Sequence, residues 1–114
     1  MNESPMRGIW PILFAFFDSR GHLDRDAMRR QAQAALGWGA PGVAVLGVAT
    51  EVGKLSVDER RDVIRWAAED LAGRAPLAVT IAGETVDAQR SLADYAVSQG
   101  AAQLILQPPP AAAT

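Results

Sequence analysis

The sequence predicts an α/β fold built on a parallel sheet, and three observations carry that prediction. Four apolar runs, "IWPILFAF" (9–16), "GVAVLG" (42–47), "LAVTIAG" (77–83) and "AQLILQ" (102–107), are continuous rather than alternating. That is the pattern of strands covered on both faces, as in parallel sheets. Three stretches of helical periodicity lie between the runs, joined by short connections, so the order is β-α-β-α-β-α-β. The passage "WGAPGVAVLG" (38–47) is echoed by "QGAAQLILQ" (99–107), each with glycine, alanine and then an apolar strand. The echo suggests successive copies of one βα unit, as in a doubly wound sheet or a (β/α)8 barrel.

The elements follow in order. The first run contains Pro11, which cannot donate to a ladder, so its strand effectively begins after that residue. "DSRGHLD" (18–24) reads as a turn. In the first helix Met28, Ala32, Ala35 and Leu36 share a face, with Asp24 as N-cap. Arg25, Arg29 and Arg30 of "RDAMRRQ" are read as a solvated face. The second helix carries Ile64, Ala67, Ala68 and Leu71 on one stripe. Ser56 and Glu59 have capping-box spacing at its start, with Asp58 in an acidic first turn. Gly73 and Pro76 mark its end. In the third helix Leu92, Ala93, Ala96 and Val97 line one face, Thr85 caps it and Gly100 stops it. Trp10, Trp38 and Trp66 are read as core or helix-packing groups, and Tyr95 as a helix residue far from any strand end. Residues 107–114 read as a tail, with no fifth βα unit.

Composition narrows the function. The 114 residues are 49% hydrophobic with a net charge of −2, from 11 basic and 13 acidic side chains. No long run of one sign offers a footprint for nucleic acid or an anionic membrane. The absence of cysteine excludes disulfides, thiolate zinc sites and a cysteine nucleophile. The single histidine, His22, sits in a turn among scattered carboxylates, which is no zinc cluster. No metal or cofactor is expected. "MNESPMRG" lacks the plan of a signal peptide, and the longest apolar run, Ile9 to Phe17, falls short of the about 20 residues of a spanning helix. A cytoplasmic, membrane-free protein is the expectation.

Residues 46–56, "LGVATEVGKLS", look at first like a phosphate-binding P-loop. Gly47 and Gly53 enclose five residues, one too many, and Leu55 follows Lys54 where a hydroxyl should hold magnesium. No glycine triplet of the dinucleotide type follows the first strand either. Position offers another reading. Parallel α/β folds bind ligands on the loops after strands, and the helix that follows offers free N–H groups. Small side chains at Gly47, Ala49 and Gly53 would let an anion approach the backbone. They would equally serve tight strand–helix packing, and the residues alone leave both readings standing.

The stretch "FAFFDSRGHLDRDAMRRQAQAALGWGAPGVAVLGVATEVGKLSVDERRDVIRWAAEDLAGRAPLAVTIAG" resembles the N-terminal half of the dihydrodipicolinate synthase and N-acetylneuraminate lyase family. Phe14 to Asp18, Gly21, Leu23, Asp24, Gly39, Gly42, Leu46, Gly47, Glu51, Leu55, Ser56, Glu59 and Arg60 match its pattern. The likeness runs from about Gly8 to Pro108. It implies a (β/α)8 barrel in which a lysine on the sixth strand forms a Schiff base with a 2-oxo acid, commonly pyruvate, for aldol or retro-aldol chemistry. It also implies a tyrosine relay near the fourth strand and a hydroxyl pair holding the substrate carboxylate.

Carried over residue by residue, the resemblance implies a substrate-binding set of Gly47, Val48, Ala49, Thr50 and Glu51. Gly47 and Glu51 match the motif. Val48 and Ala49 occupy the hydroxyl positions, so carboxylate recognition falls to backbone N–H groups of Ala49 and Thr50. Thr50 stands where the family has glycine; it could supply a displaced hydroxyl, while its β-branch resists a left-handed conformation. Glu51 reads as bonding nearby backbone, with substrate contact as the other reading. The tyrosine is absent from "QPPP" (107–110). Lys54 is the only lysine and, with no evident source of a depressed pKa, reads as a solvated loop residue. Asp24, Asp58 and Glu59 read as helix-start residues, so no catalytic residue is expected in this chain.

The expectation is thus a divergent member of this lyase and aldolase family, about four βα units of an eight-fold barrel spanning 1–114. A full barrel takes about 250 residues, so the chain reads as truncated and inactive alone. Its partners would be a small 2-oxo acid and, because open first and fourth strands invite pairing, a second copy or another chain. The alternative is a non-catalytic half-barrel that binds a small carboxylate.

Overall fold

The computed structural model describes residues 8–47, 55–83 and 85–107. Helix α1 (Arg25–Gly37) starts where Asp24, in an extended conformation, accepts a hydrogen bond from Ala27 N at 3.0 Å. Strand β1 (Val43–Val45) follows. Helix α2 (Val57–Leu71) opens on a complete capping box: Glu59 N donates to Ser56 Oγ at 3.1 Å, and Ser56 N donates to Glu59 Oε1 at 2.9 Å. It closes through two left-handed residues, Ala72 (φ 49°) and Gly73 (φ 76°). Strand β2 (Leu77–Ile81), helix α3 (Val86–Ser98) and strand β3 (Gln103–Leu106) complete the order. Thr85 Oγ1 caps α3 by accepting from Ala88 N at 3.0 Å.

The three strands are parallel in the order β1-β2-β3, with Val45 beside Val79 and Val79 beside Leu104. The first apolar run joins as a single parallel bridge, Ile12 beside Ala44. Leu13 N donates to Ala44 O at 2.8 Å, and Ala44 N donates to Pro11 O at 2.9 Å. Pro11 thus serves only as an acceptor, the one ladder role open to it. The strand expected over 9–16 contracts to this bridge. Beyond Leu13, Phe14 pairs with a side chain, as described below, instead of a neighbouring strand.

Val43, Val45, Leu77, Val79 and Ile81 join one core with Met28, Ala32 and Ala35 of α1, Val63, Ile64, Ala67 and Leu71 of α2, and Leu92 and Ala96 of α3. Each fully buried Ile or Leu here contributes about 2 kcal/mol by leaving water. Strand alternation turns Ala44, Ala78 and Thr80 to the opposite face, where they are also buried. Gly42 is required there, since a Cβ would lie 2.7 Å from ring atoms of Trp10.

Three expectations are corrected. β3 does not share the two-sided burial of β2: Leu104, Ile105 and Leu106 are exposed, and among the described residues β3 pairs with β2 alone. Trp38, at the end of α1, is 81% exposed and is no core residue. The arginines of α1 are not a plain solvated face. Arg25 clasps Asp70 of α2 through two hydrogen bonds of 2.8 and 2.9 Å and lies 5.2 Å from the Trp66 ring centroid, and Arg29 Nε is 3.5 Å from Asp70. The 45-residue separation hides this contact from any local reading. Between α2 and α3, Arg61 donates to Ser91 Oγ at 2.9 Å and covers Tyr95, which sits in mid-helix as expected.

Candidate functional site

Because the strands are parallel, their C-terminal ends share one rim. Leu13 and Phe14 follow the first bridge, Leu46 and Gly47 follow β1, Ala82 and Gly83 follow β2, and Gln107 follows β3. The N-termini of α2 and α3 begin at this rim too. The expected site residue Gly47 therefore follows the C-terminal end of β1 in a parallel sheet. Val48, Ala49, Thr50 and Glu51, and also Lys54, lie outside the described residues.

Two features mark the β1 end. Leu46 has φ 64°, a left-handed conformation in a residue that is 1% exposed. Such a backbone costs about 1–2 kcal/mol in a non-glycine residue and persists only where packing enforces it. Leu46 thereby turns the chain sharply out of the sheet. Gly47 then passes so close to the first run that a Cβ would lie 2.9 Å from Ile12 Cγ2. The packing role foreseen for this glycine is therefore real, and it coexists with the rim position that a ligand would need.

Side chains from all three helices tie down the strand ends. Gln31 of α1 donates through Nε2 to Phe14 O at 2.9 Å and accepts from Phe14 N at 2.7 Å. Arg60 of α2 donates to Ala82 O at 3.0 Å. Gln89 of α3 donates to Gly83 O at 3.3 Å and Gln107 O at 2.8 Å, joining the ends of β2 and β3. These roles are not among the expectations drawn from the sequence. One signal was available: each residue is polar and lies three or four positions before an inward apolar residue, Ala35, Ile64 and Leu92 respectively. In a βα unit the early turns of the helix flank the strand ends, so a polar group on that stripe meets main-chain carbonyls rather than the core.

A recess of about 140 Å³ lies where α2, β2 and α3 meet, lined by Val57, Arg60, Ala82, Gly83, Ala88 and Leu92. In the first βα loop, backbone N–H groups of His22 and Arg20 donate to Asp18 Oδ1 at 3.0 and 2.8 Å and hold its pKa below the usual carboxylate range. That carboxylate builds the turn containing His22, which is exposed as expected. Among the described residues no group of three His, Cys, Asp or Glu side chains could hold a metal ion. What the described rim offers is the main chain of Phe14, Ala82, Gly83 and Gln107, bonded by the side chains of Gln31, Arg60 and Gln89.

Comparison with known proteins adds a family. The model of the dihydrodipicolinate synthetase family matches residues 5–109. An L-2-keto-3-deoxyarabonate dehydratase of Azospirillum brasilense is 34% identical over 105 residues, which is 90% of this chain and 33% of that protein. A 4-hydroxy-tetrahydrodipicolinate synthase of Mesorhizobium japonicum is 32% identical over 104 residues, 90% of this chain and 36% of that protein. The chain thus spans about a third of the length of these curated relatives. Among solved structures, a Pseudomonas aeruginosa protein assigned to the dihydrodipicolinate synthetases superposes with a TM-score of 0.88 at 27% identity, over 91% of this chain and 36% of that one. YagE of Escherichia coli K12, a family member solved in complex with pyruvate, superposes with a TM-score of 0.82 at 22% identity, over 88% of this chain and 34% of that one.

Proposed function

The chain belongs to the dihydrodipicolinate synthetase family, and from that premise we propose that it forms the carboxylate-binding side of a 2-oxo acid lyase or aldolase. The observation that carries this reading is the rim itself. Gly47 leaves β1 through the left-handed turn at Leu46, beside strand ends fixed by Gln31, Arg60 and Gln89. The loop that follows, Val48 to Glu51, would present main-chain N–H groups of Ala49 and Thr50 to the carboxylate of a pyruvate-like ligand. Val48 and Ala49 carry no hydroxyl, so recognition through side chains is reduced and the substrate differs from that of hydroxyl-bearing relatives. The pyruvate in a fold neighbour supports the ligand class.

Schiff-base chemistry needs a lysine with a depressed pKa. The resemblance implies that such a lysine would stand on a sixth strand, and Lys54 is the only lysine in this chain. We therefore assign this chain binding and not covalent catalysis. A cytoplasmic setting belongs to the same reading, since a cysteine-free sequence suits a reducing compartment.

Two measurements test this. Titration with pyruvate and larger 2-oxo acids should shift the amide resonances of Phe14, Gly47 and Gly83, and silence at millimolar ligand would end the binding reading. Incubation with pyruvate and borohydride should leave the protein mass unchanged. A stable adduct on Lys54 would overturn the non-covalent assignment.

A further inference from the structure

Resting on the carboxylate reading above, we propose that Phe14 and Phe16 form an aromatic wall beside Gly47, and that the 2-oxo acid taken there carries an aryl substituent.

The first run alternates in what it faces. Leu13 is buried in the core and Ala15 packs against that core. Ile12, Phe14 and Phe16 therefore share the other face of the run. Gly47 meets that same face, since a Cβ there would lie 2.9 Å from Ile12 Cγ2. Phe14 stands two extended residues beyond Ile12, about 7 Å further toward the C-terminal end of the sheet. The Phe14 and Phe16 ring centroids are 6.4 Å apart, with the planes inclined at 36°. That separation lies within the range of attractive aromatic pairs.

Both rings are positioned by their own main chain. The Gln31 carboxamide accepts from Phe14 N at 2.7 Å and donates to Phe14 O at 2.9 Å. Asp24 N donates to Phe16 O at 2.7 Å. The rings themselves are 50% and 39% exposed.

These ties decide what the wall accepts. A phenyl ring offers no conventional donor or acceptor, and both main-chain polar groups of Phe14 are already used. Residues 9–17 carry no charged side chain either. A hydroxyl-rich substituent laid against this wall would leave water without gaining a partner, which is unfavourable. A flat apolar substituent avoids that loss and gains contact with two rings. The wall therefore selects aryl-bearing acids over polyhydroxylated ones.

Nuclear magnetic resonance titration of the full chain tests this with pyruvate, phenylpyruvate, a trihydroxylated 2-oxo acid, and benzyl alcohol as an aryl probe without the carboxylate. Phenylpyruvate should bind about tenfold more tightly than pyruvate, and the hydroxylated acid no more tightly than pyruvate. Nuclear Overhauser effects should join the phenyl protons of the ligand to the Phe14 and Phe16 rings. Phe14→Ala and Phe16→Ala should each reduce the preference for phenylpyruvate severalfold, whereas Phe17→Ala, in the turn bridged to Leu23, should leave it unchanged. Equal affinity for phenylpyruvate and pyruvate, or a preference that survives both wall variants, would overturn the proposal. Should the variants fail to fold, ring contacts in the wild-type protein decide, and phenyl contacts elsewhere would overturn it. Failure of the carboxylate reading looks different: every acid leaves the Gly47 amide unmoved while benzyl alcohol still contacts the two rings. Silence from both phenylpyruvate and benzyl alcohol at those rings would end the aryl assignment itself.

Discussion

Arg25 and Asp70 meet in a two-point ion pair across the α1–α2 interface, with Arg25 Nη1 2.8 Å from Asp70 Oδ2 and Nη2 2.9 Å from Oδ1. The Asp70 side chain is 5% exposed and that of Arg25 24%, and the pairing raises the guanidinium pKa. Asp70→Ala is expected to lower stability by about 2 kcal/mol, because the guanidinium loses its two-point acceptor and keeps only Glu69 Oε1 at 3.4 Å. Arg25→Lys should recover only part of the wild-type value, since an ammonium lacks the planar fork. Urea unfolding midpoints of the three proteins provide the check.

The Gln89 ties predict a local effect. Gln89→Leu removes donors from Gly83 O and Gln107 O and should cost about 1 kcal/mol. Hydrogen exchange should quicken about fivefold at the Gln107 amide, which donates to Ile81 O, and remain unchanged at Val45. Equal acceleration at both amides would mean that the glutamine supports the whole fold and not the rim.

Two non-glycine residues with positive φ should respond in opposite directions to glycine. Ala72 is an exposed helix cap at φ 49°, so Ala72→Gly should stabilise by about 0.5–1 kcal/mol, the left-handed penalty exceeding the entropy that glycine adds. Leu46, at φ 64° and 1% exposed, should lose about 2–4 kcal/mol on Leu46→Gly, because removal of a buried leucine outweighs relief of strain. Thermal unfolding of both variants separates the two cases.

Acid should loosen the first βα turn. Asp18 has a folded-state pKa below its ordinary value because N–H groups of His22 and Arg20 favour the charged form. The stabilisation is complete above the unfolded-state value and is lost as pH falls through the folded one. The Arg20 and His22 amide shifts should therefore move with a midpoint below the usual carboxylate range, and Asp18→Asn should abolish that titration. A midpoint at or above the ordinary aspartate value would contradict the assignment.

The parts of this fold that were legible in the sequence are those decided within a few residues. Asp24, the Ser56–Glu59 box and Thr85 cap their helices as their spacing foretold, and continuous apolar runs became a parallel sheet. Contacts between distant segments were hidden. Nothing local reveals that Asp70 captures Arg25, that Gln31 reaches Phe14 across 17 positions, or that Trp38 points to water. That Gly47 follows the C-terminal end of β1 was legible because the strand order and direction are set by the βα alternation. The backbone turn at Leu46 escaped notice because leucine carries no preference for it.

The ties from Gln31, Arg60 and Gln89 grip main-chain atoms and are indifferent to which side chains those positions bear. A change of side chain at Phe14, Ala82 or Gln107 therefore leaves the bonded main-chain atoms in place. A lineage can exchange the chemistry it displays at that end while the frame that spaces it is inherited unchanged.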